Sequence, residues 1–146
     1  MLLIGLRNTT SQAIATGGVL ELGEVYRRFD RKGVCGYRAF EVSPASLALQ
    51  HSGIYHLTAT ITFTGDAAGT ATFQLAENGV VIAGATATET VTTATTEINT
   101  TVIDFYILVD SNFILNALNT SKSISIVNVG DDVTVTNLIV NVEKVV

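Results

Sequence analysis

The stretch GIYHLTATITFT, Gly53 to Thr64, decides the fold. Tyr55, Leu57, Ala59, Ile61 and Phe63 alternate with His56, Thr58, Thr60, Thr62 and Thr64. Side chains on a strand point to opposite faces in turn, so the pattern describes a long strand with one buried face. Immediately downstream, Thr70 to Glu77 repeats the alternation, with Ala71, Phe73 and Leu75 against Thr72 and Gln74, and ends in Glu77-Asn78-Gly79-Val80. Asn-Gly between alternating runs predicts a tight hairpin, because both residues tolerate the positive φ of a type I′ turn. Gly65 to Gly69, a cluster of small and turn-forming residues, joins the two strands.

Working outward, Val80 to Thr86 is the return of that hairpin and runs into an Ala/Thr-rich stretch reaching Thr96. Such small side chains predict a sheet edge, a contact with another chain, or a loop. Glu97 to Asp110 is the second strong strand. It carries Ile103, Phe105, Ile107 and Val109 on one face and Val102, Tyr106 and Leu108 on the other, interrupted by Asp104. Apolar residues on both faces predict cover on both. Asp110 to Asn112 turns the chain, Phe113 to Leu118 is a short apolar strand or loop, and Lys122 to Val129 alternates Ile124 and Ile126 with serines. After the turn at Gly130-Asp131-Asp132, Val133 to Val146 closes the sequence. There the apolar parity shifts from Val133 and Val135 to Leu138, Val140 and Val142, which predicts a β-bulge near Thr136-Asn137.

Upstream, residues 1 to 18 read as a short strand or arm followed by a loop, Val19 to Tyr26 as a strand from its aliphatic and β-branched content, and Arg27 to Gly36 as a charged loop. Tyr37 to Val42 reads as a short strand closed by Ser43-Pro44. No segment of helical period carries a helix start signal, Ala45 to Gln50 being too short. The expected architecture is an all-β jelly-roll sandwich of about eight to ten antiparallel strands. Its divisions are residues 1–45, an N-terminal arm with short strands and a basic loop, belonging to the same domain or acting as a docking segment, and residues 46–146, the sandwich.

The chain has 146 residues, of which 47% are hydrophobic and only 14% charged. That length buries a core without metals or disulfides, and so few charges point to surface covered by other subunits. No apolar run reaches the length of a membrane-spanning helix. Met1 to Leu6 lacks the basic start and long core of a secretory signal. The single cysteine, Cys35, has no neighbouring His or acid to activate it and reads as a partly buried thiol.

Charge is uneven along the chain. Up to Arg38 the six basic residues Arg7, Arg27, Arg28, Arg31, Lys32 and Arg38 outnumber Glu21, Glu24 and Asp30, whereas the remainder holds two basic and ten acidic residues. A basic segment in an otherwise acidic protein suits docking on an acidic partner surface; a solvated basic turn explains it equally.

Motifs of catalysis and ligation are few. His51 and His56, the two histidines, fall off any zinc-ligand spacing, and His56 reads as an outward surface or interface residue. Asp131-Asp132 lacks the alternating oxygens of a calcium loop and reads as a turn. Nothing marks a carboxylate pair for glycoside hydrolysis, a phosphate loop or a nucleophile elbow. Tyr26, Phe29 and Tyr37 among arginines have the composition of a base-stacking platform, yet a net charge of −5 opposes nucleic-acid affinity. The reading is a binding or structural protein without cofactor or metal, not an enzyme, with neither a nucleic acid nor a membrane as partner.

Two pieces carry a family resemblance. Gly53-Ile54-Tyr55 with its alternating strand, a Gly-rich turn and a strand ending in Glu77-Asn78-Gly79-Val80 resembles the centre of tumour-necrosis-factor-like and complement globular-head jelly rolls, and Ser125 to Val135 resembles their last hairpin. Ala13 to Gly18, followed by an aliphatic strand and Leu22-Gly23, is similar to small bacteriophage and prophage virion proteins of the same layout. The resemblance implies a homotrimer on the virion exterior, assembled in the host cytoplasm, as a capsid decoration (auxiliary) protein or head-fibre subunit. Ile54, His56, Tyr106 and Leu108 would then line the trimer interface, and Arg27, Arg28, Arg31, Lys32 and Arg38 would dock on the major capsid protein or another virion protein. Removing residues 1–38 would abolish docking and leave the trimer folded. Against the family pattern, the chain has no collagen-like repeat or coiled-coil stalk, and its basic loop is long. The rival reading is a jelly-roll module that binds a host surface glycan or receptor; no Trp is present to stack a sugar.

Overall fold

The structure, a computed structural model, describes residues 1–30, 38–110 and 121–146. Eleven strands are formed among them: β1 (Leu2–Asn8), β2 (Gln12–Ile14), β3 (Glu24–Phe29), β4 (Phe40–Ser43), β5 (Ser46–Leu49), β6 (Gly53–Gly65), β7 (Gly69–Glu77), β8 (Val80–Val91), β9 (Asn99–Val109), β10 (Lys122–Asn128) and β11 (Val133–Lys144). They make two antiparallel sheets. The first runs β3-β1-β11-β6-β9, with β2 also paired to β11, and the second runs β4-β5-β10-β7-β8. The two sheets face each other as a jelly-roll sandwich, so the expected fold class holds.

Register explains the core. On β6, Leu57 lies between Val142 of β11 and Phe105 of β9, and Ala59 between Val140 and Ile103. Each inward row therefore meets an inward row, and Tyr55, Ile61, Phe63, Phe73, Leu75, Ile124, Ile126 and Leu138 are fully enclosed with them. Phe63 meets Phe73 of the opposite sheet edge to face at 5.1 Å, and Phe40 meets Tyr55 the same way at 5.9 Å. The Tyr55 hydroxyl donates to the His51 carbonyl at 2.7 Å, and burial pushes the phenol up to about 12.

Two local readings are borne out in detail. Asn78 and Gly79 have φ of 51° and 84°, the pair of positive values a type I′ hairpin demands. The β11–β6 register shifts between Val135 and Asn137, and this bulge returns Leu138, Val140 and Val142 to the core side. The Ala/Thr-rich stretch lies largely in β8, the edge strand of the second sheet.

The N-terminal part differs from expectation. Strand structure begins at Glu24 rather than Val19, and Arg27 to Phe29 extend it instead of opening a loop. Ala45 to Gln50 contains β5, which pairs with β4 around the Ser43-Pro44 turn. β1 lies between β3 and β11, and Ile4, Leu6, Leu20 and Leu22 join the core. Removing residues 1–38 would strip β1, β2 and β3 from the first sheet and take Ile4, Leu6, Leu20 and Leu22 out of the core, so the expectation that such a truncation leaves a folded chain does not hold. Cys35, Arg31, Lys32 and the Phe113–Leu118 segment fall outside the described residues.

At one pole of the sandwich Leu2 pairs with Lys144, and the Val145 amide donates to the Ile54 carbonyl at 2.7 Å. At the other, Asn128 is fully buried. Its Nδ2 donates to the carbonyls of Asp131 (2.9 Å) and Ile14 (3.2 Å), and its Oδ1 accepts from the Gly130 amide at 3.0 Å. Asn128→Leu leaves these backbone groups without their partner and should destabilise the fold by about 1–3 kcal/mol in urea denaturation. A loss near zero would show that the turn does not depend on this side chain.

Candidate interaction face and basic segment

The outward residues of the first sheet form the most unusual surface of the molecule. One row crosses all five long strands: Phe29 pairs with Leu3, Leu3 with Glu143, Glu143 with His56, and His56 with Tyr106. Beside it, Ile54 pairs with Leu108. Tyr106 is 60% exposed, Leu108 and Phe29 53%, Val102 49% and Ile54 37%. The four residues expected at a trimer interface, Ile54, His56, Tyr106 and Leu108, are thereby brought onto one face. Val102 and Asp104 share the face of Tyr106 and Leu108, as the alternation of their strand indicates; Phe29 and Glu143 complete it and had not been assigned to it, because only cross-strand register places them there.

At the centre stands a polar cluster. His56 Nε2 is 2.6 Å from Asp104 Oδ1, its Nδ1 is 3.5 Å from Glu143 Oε1, and the ring stacks on Tyr106 with centroids 4.7 Å apart. The hydrogen bond to Asp104, aided by both negative charges and opposed by desolvation, raises the imidazole above its ordinary value. Towards β3, Tyr26 lies flat over Gly5, where any Cβ would strike its ring at 2.8 Å, and its hydroxyl donates to Asn141 Oδ1 at 2.6 Å. The Arg7 and Arg27 guanidinium carbons each lie 5.8 Å from the Tyr26 ring centroid.

The basic residues separate into different roles. Arg28 faces the Ile4 side of β3, binds Asp30 through two hydrogen bonds of 2.7 and 2.8 Å, and donates to the Phe40 carbonyl of β4. It joins the two sheets at their open edge. The Arg28 hydrogen bonds hold the buried Asp30 carboxyl below the usual carboxylate range. Arg27 belongs to the outer face and Arg38 is exposed, with its guanidinium 3.9 Å from Asp30. Asp131 and Asp132 accept the backbone amides of Thr70 and Thr16, each at 2.9 Å, as turn residues do. Among the described residues no group of three or more His, Cys, Asp or Glu is arranged to hold a metal. An open polar cleft of about 450 Å³ at the far pole is lined by residues that bond one another: Arg7 with Glu24 at 3.1 Å, and Gln12 with the Glu21 backbone.

Comparison of the sequence with protein-family models and with curated proteins gives no match. Solved structures do match over nearly the whole chain. Murine APRIL at pH 5.0 superposes with a TM-score of 0.66 at 10% identity, covering 97% of this chain and 98% of its own. The globular domain of zebrafish complement 1qA protein gives 0.64 at 5% identity, covering 100% and 98%. PRD1 vertex protein P5 gives 0.55 at 15% identity, covering 97% and 93%. These likenesses show the fold: the chain is a jelly roll of the tumour-necrosis-factor and complement-head kind.

Two outcomes follow from the geometry. Arg28→Ala removes both hydrogen bonds to Asp30, leaving it only the longer ion pair with Arg38, and should cost about 2–3 kcal/mol in chemical denaturation, whereas Arg27→Ala should cost less than about 0.5. His56, followed by NMR, should titrate above its ordinary value of about 6.5 and fall back in Asp104→Asn. Because its folded value is raised, its contribution to stability is complete below about pH 6.5 and disappears as pH rises through the folded value.

Proposed function

We propose that this chain is a structural subunit of a bacteriophage virion, a capsid decoration or head-fibre protein that acts as a homotrimer docked on the shell. The observation that carries the reading is the outer face of the first sheet. An apolar surface of Phe29, Ile54, Val102, Tyr106 and Leu108 on a chain with few charges is what subunit contact covers. The likeness over Ala13 to Gly18 and Leu22-Gly23 to phage and prophage virion proteins points to the virion. A vertex protein among the structural neighbours agrees with that setting. The role is mechanical, without a catalytic step. Capsid docking falls to Arg31, Lys32 and Arg38, since Arg28 binds Asp30 and Arg27 belongs to the outer face.

The rival glycan-binding reading gains little from the exposed aromatics. Phe29 and Tyr106 belong to the self-association face and Tyr26 is pinned over Gly5.

Light scattering coupled to size exclusion should give a mass near three times 15.4 kDa, and Leu108→Arg should reduce it to one chain. A monomeric wild-type chain would remove the trimer. Mixed with shells of the virus that encodes it, the protein should pellet with them, and the triple variant R31E/K32E/R38E should lose binding while keeping its mass. Undiminished pelleting of that variant would exclude the basic segment, and specific retention on a glycan array would favour the receptor-binding module.

A further inference from the structure

The His56 cluster sits where the apolar face would close. Both ring nitrogens are aimed at carboxylate oxygens, Nε2 at Asp104 and Nδ1 at Glu143. A neutral imidazole has one donor and one acceptor, so it satisfies one carboxylate and turns a lone pair on the other. The imidazolium donates to both. On a free chain, water reaches the cluster and relieves the mismatch: the Asp104 side chain is 62% exposed and that of Glu143 45%. Under another subunit that relief is gone, and an unmatched charge in a dry contact is costly. With His56 protonated the cluster carries a net charge of −1, and with His56 neutral −2.

The surroundings give no substitute cation. From β9 the facing groups are Asp104 and the Tyr106 phenol, and from β11 Glu143 and, one row away, Asn141. On β6 itself the outward neighbours are Ile54 and Thr58, and beyond Glu143 β1 contributes Leu3. Among the described residues, neither Asp104 nor Glu143 has a cation other than His56 within ion-pair distance. Arg7 and Arg27 lie across the sheet beside Tyr26, and Lys144 lies against Gly53 at the pole. On β1 and β3 this face carries Arg7 and Arg27 against one acid, Glu24, which pairs with Arg7 at 3.1 Å, leaving a net positive charge at Arg27, while its part on β6, β9 and β11 is acidic. That distribution suits a further copy of this chain, whose basic part can meet the acidic part of its neighbour in a cyclic assembly.

We propose that copies of this chain associate through the outer face of the first sheet with uptake of a proton at His56 in each subunit, so that raising the pH loosens the assembly. The inference rests on the trimer reading above and adds its control. Protonation favours the closed contact, so association is tightest near pH 6 and weakens as pH rises towards 8. Three protons taken up per trimer allow the association constant to fall by up to about a thousandfold per pH unit.

Sedimentation equilibrium at about pH 6 and pH 8, over a range of protein concentrations, tests this on the wild-type chain, His56→Gln, Asp104→Asn and Leu108→Arg, with circular dichroism confirming that each is folded. The expected result is a wild-type trimer at least about tenfold weaker at the higher pH, a His56→Gln trimer whose strength is the same at both, and a reduced dependence in Asp104→Asn. A wild-type trimer indifferent to pH, or a His56→Gln trimer with the full wild-type dependence, overturns the proton coupling and leaves the trimer standing. A Leu108→Arg trimer as strong as the wild type overturns the choice of face. A chain that stays monomeric throughout overturns the trimer reading, and this inference with it.

Discussion

The pairing of β6 between β11 and β9 is the constraint on which the molecule depends. Its inward residues meet Val142, Val140 and Leu138 on one side and Ile107, Phe105 and Ile103 on the other, so a slip of one residue would exchange every buried side chain for a polar one. The bulge at Thr136 belongs to this arrangement. Without it, β11 would present Asn137, Ile139 and Asn141 to the core along half its length, and β1, which pairs with β11, would lose its own register.

That dependence explains what could be read from the residues. Strands that bury one face write a two-residue period into the sequence, and β6, β7, β10 and the Asn78-Gly79 hairpin were legible for that reason. Even the bulge showed itself as a change of parity. β3 was opaque because its sequence, Glu24 to Phe29, is mostly charged and aromatic: as an edge strand it is held by β1 alone and carries no alternating apolar face. β5 was missed because four residues are too few to display a period. Arg28 looked like one more surface cation, yet its place opposite Ile4 turns it towards the other sheet.

The candidate face was half legible. Ile54, His56, Tyr106 and Leu108 could be assigned to outward positions strand by strand. Their joining with Leu3, Phe29 and Glu143 into one row needs the pairings of Phe29 with Leu3, Leu3 with Glu143 and Glu143 with His56, strands 26, 140 and 87 residues apart in sequence, and no local pattern records these. The same holds for the contact of His56 with Asp104 and Glu143, in which a residue of ordinary surface character becomes the centre of a charged cluster.

The antiparallel match of Leu2 with Lys144 sets the first and last strands side by side, running in opposite directions, so the two chain ends leave from a single pole. Anything joined to either end, whether a natural extension, an affinity tag or a second domain, emerges on that side. The opposite pole, with its turns at 9–11, 65–69 and 130–132, stays unencumbered. The sandwich is thus built like a plug with both leads at one end. A short linker between the ends would close the chain into a ring, and new termini could then be opened at the Asn78-Gly79 turn without disturbing the strands around β6.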